Sequence, residues 1–290
     1  MDGGRWYRRS TVLLSLNCLL LAALSGCVHD LPKREVVASA APLDRDVVAS
    51  VAPALFGEGM FTASNGIRLP YRILPPLHPA PGVRYPLVLQ LHGSGGIGTD
   101  NLLQLDRLAK TWAMPEIRAR YPAYVLVPQF PIRSANYGPP SPEQFALASP
   151  ALNAALELTE QFARENPVDS RRIYALGFSM GGSAAWLAPT LKPHLFAAIM
   201  PVSGIAPANA AAATLRALPI LVVHGNADDE NPIVADQRLT NFLQQSGASH
   251  IQFREYAGLD HALHADMYPG YWWRDWLFLQ RRPTIAQSIR

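Results

Sequence analysis

Cysteine is almost absent from this chain. Only Cys18 and Cys27 occur among its 290 residues, and no cysteine follows position 27. A disulfide framework needs pairs of cysteines, and many structural zinc sites need clusters of them, so both are excluded from the body of the chain. The histidines and acids of the body lack paired metal-ligand spacing. We therefore expect a body without disulfides and without a metal site.

The chain also lacks a large excess of charge of either sign. The chain has 25 Lys and Arg residues against 22 Asp and Glu residues, a formal net charge of +3. It has no basic cluster interleaved with aromatic residues, so the electrostatic footprint of nucleic-acid binding is missing and we expect no such partner. Repeats of solenoid or propeller length are missing as well. The remaining composition is that of an ordinary globular chain, long enough for one large domain with its own core.

A hydrophobic run of membrane-spanning length is the third absence. The apolar stretch near the N-terminus reaches only from Val12 to Leu24, which is too short for a comfortable spanning helix. Arg5, Arg8 and Arg9 precede it. A positive segment followed by a short apolar segment is typical of a secretory signal.

The end of this leader reads Leu24-Ser25-Gly26-Cys27 and resembles the lipobox of bacterial lipoproteins. The resemblance implies that residues 1–26 are a signal peptide and that Cys27 becomes the lipidated first residue of the mature chain. Several acyl chains on one residue would anchor it stably to a membrane. Val28 in place of an Asp favours the outer membrane of the cell envelope. A plain signal peptide with an incidental cysteine and an uncleaved signal anchor are the alternatives.

Residues 27–55 are predicted to be a flexible tether between this lipid and a catalytic domain over residues 56–290. After the cysteine, the segment is rich in Ala, Val, Pro and Asp and has no clear period. Such a composition is typical of a linker.

The body alternates between predicted strands and predicted helices. Asn65-Gly66 between alternating residues indicates a hairpin within 61–74. Short apolar runs then predict buried strands at 87–91, 124–127, 173–176, 197–202 and 220–223. Helices are predicted from Leu152 to Asn166, over Val234–Gln245 and over Trp272–Leu279. This alternation favours an α/β fold with a mostly parallel central sheet, helices on both faces and an antiparallel N-terminal hairpin.

A proline-rich loop is predicted over residues 128–142. Prolines at 128, 131, 139, 140 and 142 forbid a regular helix or a central strand there. A loop of this length is often functional. Phe130, Tyr137 and Phe145 are expected to border a substrate pocket, although these aromatics are equally compatible with a place in the core.

Ser179 is the candidate nucleophile. Gly177-Phe178-Ser179-Met180-Gly181 follows the predicted strand 173–176 and precedes a stretch compatible with a helix. Strand, sharp turn and helix are the context of a nucleophile elbow, in which a serine hydroxyl projects above the sheet. The alternative is a tight turn whose serine only caps the helix.

A serine hydroxyl needs a histidine base, and the histidine needs a carboxylate partner. In an elbow of this type the acid follows the serine and the histidine comes last. Asp228, Asp229 and Glu230 lie just after the predicted strand 220–223. The spacing from His224 through Asp228 to Pro232 favours Asp228, and His224 itself is expected to have a structural role at the strand end.

His261 is the favoured base because it lies on the loop that follows the predicted strand 251–256. His264, three positions later, is the alternative, or else a residue of the pocket wall. Acyl transfer also needs N–H donors for an oxyanion. We expect the backbone N–H groups of Met180 and of Ser94, the latter in the glycine-rich loop that follows the predicted strand 87–91.

With these residues in place, the chain resembles esterases of the α/β-hydrolase fold. The branch that it resembles includes polyhydroxybutyrate-depolymerase-like proteins, feruloyl-esterase-like proteins and the predicted-peptidase or phospholipase/carboxylesterase-like group. The resemblance covers roughly residues 56–280. It is carried by 85–101, 124–129, 168–182 and the acid and histidine loops. Relatives often have Trp three positions after the histidine, where this chain has His264, which places the pocket wall beyond His261 in question.

The resemblance implies a serine hydrolase that needs no cofactor and acts on a small-molecule or polymer-derived ester through an acyl-enzyme. A serine peptidase or amidase on the same fold is one alternative. A non-catalytic envelope lipoprotein that keeps the fold is another.

Overall fold

The computed structural model describes Met1 and residues 33–38 and 41–283. The chain divides into Met1–Asp30 and Leu31–Arg290, and the fold described below is that of the second unit. Apart from Met1, the expected signal peptide lies outside the described residues, as does Cys27. Their roles therefore stay predictions.

Strands make up one large sheet and one small ribbon. Their bounds are β1 Arg34–Val37, β2 Gly57–Thr62, β3 Arg68–Leu74, β4 Tyr85–Leu91, β5 Tyr124–Pro128, β6 Ala135–Asn136, β7 Leu147–Ala148, β8 Val168–Phe178, β9 Ala198–Val202, β10 Ile220–Gly225 and β11 Ile251–Tyr256. Among the described residues the large sheet has nine strands in the order β1-β11-β10-β9-β8-β4-β5-β3-β2, and β6 pairs with β7.

The sheet is parallel from β1 to β5 in this spatial order and antiparallel at the other end, where β3 meets β5 and β2 meets β3. The antiparallel pair β2 and β3 is the hairpin that Asn65-Gly66 predicts. Apolar runs form the parallel strands because their residues are covered on both faces. Every residue of β4, for example, is buried. The predicted α/β class with a mostly parallel sheet is confirmed.

Helices cover both faces of the sheet. Their bounds are α1 Arg107–Thr111, α2 Pro115–Arg120, α3 Pro150–Glu165, α4 Met180–Leu191, α5 Ala212–Leu215, α6 Val234–Gln245 and α7 Tyr271–Leu279. Leu87 and Leu89 of β4 share one core with α3, α4 and α6, whereas Val88 between them belongs to a second core with α1, α2 and α7. Alternate residues of a strand face opposite sides, so the two cores lie on opposite faces.

Helix α3 ends at the predicted position but begins two residues before the predicted Leu152. The Ser149 hydroxyl accepts a hydrogen bond from the Ala151 N–H at 3.1 Å, and Pro150 occupies the first turn, where a missing N–H costs nothing. Asn166 before Pro167 ends the helix. No helix within the described ranges is both long and apolar enough to cross a bilayer.

The proline-rich loop runs from β5 towards α3 and is partly core. Phe130 is fully buried, whereas Phe145 is exposed. Tyr137 is partly buried against the core on the α3 side of the sheet. The prolines leave room only for the two-residue strand β6.

The N-terminal segment differs from the expected tether. Strand β1 lies inside residues 27–55, yet it extends the sheet by pairing in parallel with β11. Leu43, Val48 and Val51 are each no more than 5% exposed and pack into the core beside α1 and α7. The described part of 34–55 therefore belongs to the folded unit, a correction to the predicted boundary at 56. Strand β1 has only four residues, too few to give a clear period in the sequence.

Candidate active site

The turn between β8 and α4 holds Ser179 in a strained backbone conformation. Its φ is 59° and its ψ is −121°, a region that residues with a side chain rarely adopt. The flanking glycines are required by space. A Cβ on Gly177 would lie 2.4 Å from the Leu91 carbonyl oxygen, and one on Gly181 would lie 2.1 Å from the same atom. The Gly-x-Ser-x-Gly pattern thus lets the turn pass directly against the end of β4.

Three side chains from three loops form one hydrogen-bonded chain. The Ser179 Oγ lies 2.8 Å from the His261 Nε2, and the His261 Nδ1 lies 2.7 Å from the Asp228 Oδ2. Asp228 follows β10 and His261 follows β11, so both arrive at the carboxyl edge of the parallel sheet, where Ser179 also lies. The structure therefore brings together the three residues that the sequence favours as nucleophile, base and acid.

The environment of Asp228 keeps its carboxyl group ionised. Burial alone would raise the pKa of Asp228. Hydrogen bonds with His224, His261 and the Asn231 N–H outweigh burial and hold that pKa at about 2. The Asn231 N–H donates to the second carboxylate oxygen, Oδ1, at 2.8 Å. The carboxylate is thus available as a charged partner for His261 at neutral pH.

The competing acids lie elsewhere. Asp229 is exposed. The Glu230 Oε2 approaches the His261 Nε2 to 3.8 Å, but the Glu230 side chain is 72% exposed and lies on the serine side of the ring. An acid that fixes the tautomer must bond to Nδ1, the nitrogen remote from the serine. Asp228 alone among the three candidate acids has that position.

The competing histidine is separated from the nucleophile. His264 stacks on the Tyr256 ring with centroids 3.9 Å apart, and its Nδ1 lies 2.9 Å from an Asp266 carboxylate oxygen. It lies where the N-terminal segment crosses the histidine loop, since Pro42 forms a bridge with it. His264 therefore belongs to the support of this loop.

The predicted oxyanion donors flank the nucleophile. Met180 is the first residue of α4, so its N–H has no partner inside the helix. Ser94 begins a short 3-10 turn, Ser94–Gly96, after β4. A Cβ on Gly93 would lie 3.5 Å from the Ser179 Cβ, so the backbone directly before Ser94 passes close to the nucleophile. The role of the two N–H groups as oxyanion donors stays a prediction.

His92 supports the loop that follows β4 and carries Ser94, here called the oxyanion loop. The sequence-based predictions give His92 no such role. Burial lowers its pKa to about 4, so the ring is neutral. Its Nδ1 lies 2.6 Å from the Gly93 carbonyl oxygen, and its Nε2 accepts from the Phe130 N–H at 3.0 Å. The ring thus connects the oxyanion loop to the proline-rich loop. The signal that would have found it is a His-Gly pair at the end of a buried strand.

Gln129 is a second supporting residue that sequence reasoning missed. Its side-chain amide donates to the Gly96 carbonyl oxygen at 3.2 Å and to Asp100 at 2.8 Å. Its carbonyl oxygen accepts from the Asn101 N–H at 2.6 Å. A fully buried side chain with all these bonds holds the loop after β4 in one conformation. Nothing in a lone glutamine after a strand indicates this role.

Metal-ligand clusters are absent from the described ranges. No group of three or more His, Cys, Asp or Glu side chains there is arranged to hold an ion.

The chain is similar to known esterases in sequence. Residues 144–268 match the family model described as Phospholipase/Carboxylesterase. This range includes Ser179, Asp228 and His261. Over 88 residues the chain is 34% identical to a bifunctional acetylxylan esterase/xylanase of Neocallimastix patriciarum. The aligned region covers 30% of this chain and 12% of that protein.

Solved structures show the same fold. The crystal structure of a thermostable esterase has a TM-score of 0.70 at 31% identity, covering 79% of this chain and 64% of the other. A feruloyl esterase module from Clostridium thermocellum, complexed with sinapinate, has a TM-score of 0.60 at 14% identity, covering 86% and 98%. The chain thus spans 64% of the first of these and 12% of the acetylxylan esterase/xylanase. The predicted resemblance to esterases of the α/β-hydrolase fold is confirmed.

Proposed function

We propose that this protein is a carboxylic-ester hydrolase that works through Ser179, His261 and Asp228. The observation that carries the proposal is the continuous hydrogen-bond chain from the Ser179 Oγ through both nitrogens of His261 to the buried Asp228 carboxylate. A capping serine would need none of these partners. The match to phospholipase/carboxylesterase sequences supports an ester as the substrate.

The chemistry follows from the order of the atoms. Ser179 Oγ attacks the ester carbonyl carbon while His261 Nε2 takes the hydroxyl proton. The carbonyl oxygen becomes an oxyanion, which the N–H groups of Met180 and Ser94 stabilise. The alcohol leaves with the proton from His261, and the acyl group remains on Ser179. Water then attacks the acyl carbonyl carbon while His261 Nε2 takes one of its protons. The bond between the acyl group and Ser179 Oγ breaks, His261 returns the proton to Ser179 Oγ, and the acid is released.

Asp228 makes these reaction steps possible without changing its own charge. Its carboxylate accepts a hydrogen bond from the Nδ1–H of His261, which leaves Nε2 free to accept from the serine. When His261 becomes an imidazolium, the adjacent carboxylate balances the charge in a site shielded from water. The substrate is proposed only by class, a small-molecule or polymer-derived carboxylic ester.

Replacing Ser179 by Ala tests the proposal. We expect wild type to hydrolyse short p-nitrophenyl esters and Ser179→Ala to lose at least about 10³-fold in kcat, because the nucleophile is gone. Ser246→Ala, at an exposed serine after α6, serves as the matched control and keeps wild-type turnover. Full turnover by Ser179→Ala contradicts the assignment. Faster cleavage of aminoacyl amides than of esters by wild type would identify a peptidase or amidase instead.

The place of action is also a proposal. The leader pattern ending at Cys27 supports export and lipid anchoring in a bacterial cell envelope. The ester substrate would then be met outside the cytoplasm.

A further inference from the structure

His224 is a fully buried histidine directly behind the proposed catalytic acid. It is the penultimate residue of β10, and its side chain has no solvent exposure. Its Nε2 lies 3.3 Å from the Asp228 Oδ2, the same oxygen that bonds to His261. Its Nδ1 lies 2.9 Å from the Oδ2 of Asp236, a residue of α6 that is equally buried. The imidazole thus lies between two buried carboxyl groups.

The hydrogen-bond partners determine where the protons are. The His224 Nε2 is 2.8 Å from the Asn231 carbonyl oxygen, which only accepts, so this nitrogen carries a proton. The Nδ1 faces a carboxyl oxygen of Asp236, whose other oxygen accepts from the Trp186 Nε1 at 2.9 Å. If Asp236 is ionised, both of its oxygens accept, and the Nδ1 is then also a donor. The ring is then an imidazolium paired with a carboxylate.

The local charges agree with this assignment. Burial by itself lowers the pKa of His224, but hydrogen bonds and charge interactions with Asp228 and Asp236 outweigh it and raise that pKa to about 9. Burial raises the pKa of Asp236, and the bond to His224 opposes that rise. A buried cation between two acids satisfies all three groups, whereas a neutral ring protonated at Nε2 would need a proton on Asp236 for the contact at Nδ1 to be a hydrogen bond.

The remaining charged groups nearby are engaged elsewhere. Glu255 of β11 is in register with His224, but its carboxylate bonds to Arg34 at 2.8 Å and to Asn226 at 3.0 Å. On the β9 side, the Asn231 side chain donates to the Ser203 carbonyl oxygen at 2.8 Å. The charges that face His224 are therefore those of Asp228 and Asp236.

We propose that His224, held by Asp236, is a positioning residue that keeps Asp228 ionised and aimed at His261. The inference rests on the proposed function and adds to it a group that never meets the substrate. Asp228 is held at one oxygen by the Asn231 N–H and at the other by two histidines. Because His224 also bonds to the Asn231 carbonyl, one ring fixes both the carboxylate and the loop that carries it.

Two variants separate positioning from mere packing. His224→Gln removes the cation and leaves the buried Asp236 carboxylate without a balancing charge, so we expect a lower melting temperature. We also expect kcat to fall between about tenfold and 10²-fold with KM within about twofold, as for a misplaced catalytic group. The double variant His224→Gln/Asp236→Asn removes the unpaired charge as well. It should regain most of the melting temperature while its kcat stays low. His250→Gln, at an exposed histidine, is the control and should match wild type.

The charge of His224 can be measured in the wild-type protein itself. Nitrogen-15 NMR of the histidine rings, with the His224 signals assigned by their loss in His224→Gln, should show both of its nitrogens protonated at pH near 7. This measurement decides the proposal even where a variant fails to fold. A neutral His224 ring overturns the proposal, as does a double variant with regained stability and wild-type kcat.

Failure of the proposed function would be recognised separately. A wild-type protein without ester turnover, or a Ser179→Ala variant with full turnover, contradicts the esterase and not the charge on His224. If wild type is active, Ser179→Ala is inactive and the double variant has a low kcat, the results support both the esterase function and the positioning role of His224.

Discussion

At the scale of single residues, the site depends on Ser179 being held against its backbone preference. A positive φ at a serine costs of the order of 1–3 kcal/mol, and such strain persists only where neighbours enforce it. Here the neighbours are the end of β4 against Gly177 and Gly181, and the Val202 carbonyl, which accepts from the Ser179 N–H at 2.9 Å. The strain presents the hydroxyl to His261.

Replacing Asp228 by Asn tests the acid. The neutral amide keeps the shape of the side chain but no longer fixes the His261 tautomer, so we expect kcat to fall about 10³–10⁴-fold with KM little changed. Steady-state kinetics on a p-nitrophenyl ester measure it. Asp229→Asn, at the exposed neighbouring acid, is the control. Equal losses in the two variants would contradict the choice of Asp228.

The same substitution has a predictable pH dependence. Folding lowers the pKa of Asp228 from 3.8 to about 2. A carboxyl group with a lowered pKa stabilises the folded state above its unfolded pKa and loses that contribution as the pH falls towards its folded pKa. The free energy of unfolding of wild type should therefore exceed that of Asp228→Asn by about 2 kcal/mol at neutral pH, and the difference should narrow below about pH 5. Urea unfolding across this range measures it, and a difference independent of pH would contradict the assigned shift.

At the scale of elements, the N-terminal segment supports the loop that carries His261. The Leu43 N–H bonds to the Leu263 carbonyl oxygen at 2.6 Å, and the Ala265 N–H bonds to the Ala41 carbonyl oxygen at 2.8 Å. On the other side of the loop, the Ala257 N–H bonds to the carbonyl oxygen of Val37 in β1 at 3.0 Å. The histidine loop is thus bounded at both ends by residues that the sequence indicates only as a tether.

Leu43→Ala tests this support. Leu43 is 3% exposed, and truncating a buried leucine lowers the free energy of unfolding by about 2–4 kcal/mol. If the segment holds the histidine loop, the Ala265 amide should also exchange faster with solvent, and kcat should fall several-fold. Val36→Ala in β1, at a side chain 55% exposed, is the control and should change stability by less than about 0.5 kcal/mol. Lower stability with unchanged Ala265 exchange and unchanged kcat would contradict the support.

The sequence predicts elements with a local signal and misses those without one. The hairpin, the parallel strands and α6 each have a turn or a period within a few residues, and the elbow and its partners follow a known chain order. Strand β1 has no such signal because its register is set by β11. Gln129 and Asp236 also lack a local signal, since each acts through a partner that only the folded chain brings near, and His92 has only the His-Gly pair after β4.

At the scale of the whole molecule, the proposed anchor gives a clear cellular prediction. We expect the wild-type protein in a bacterial host to incorporate labelled fatty acid and to sediment with membranes. Cys27→Ser should remove both properties, because the thiol is the proposed attachment point. Cys18→Ser is the matched control and should behave as wild type, since residue 18 lies in the segment removed on cleavage. Unchanged labelling in Cys27→Ser would contradict the anchor.

The pairing of β1 with β11 also affects when the protein becomes active. Arg34 and Glu255, which bond across this edge, are 221 positions apart in the chain. Contacts of such separation form late, because the chain must first lose the entropy of closing a very long loop. A chain that emerges with its N-terminus first therefore has β1 ready long before its partner strand exists. The histidine loop receives its bounding contacts only when the last strand of the sheet arrives, so an exported chain would remain without activity during its passage and acquire activity only once its C-terminal segment has folded.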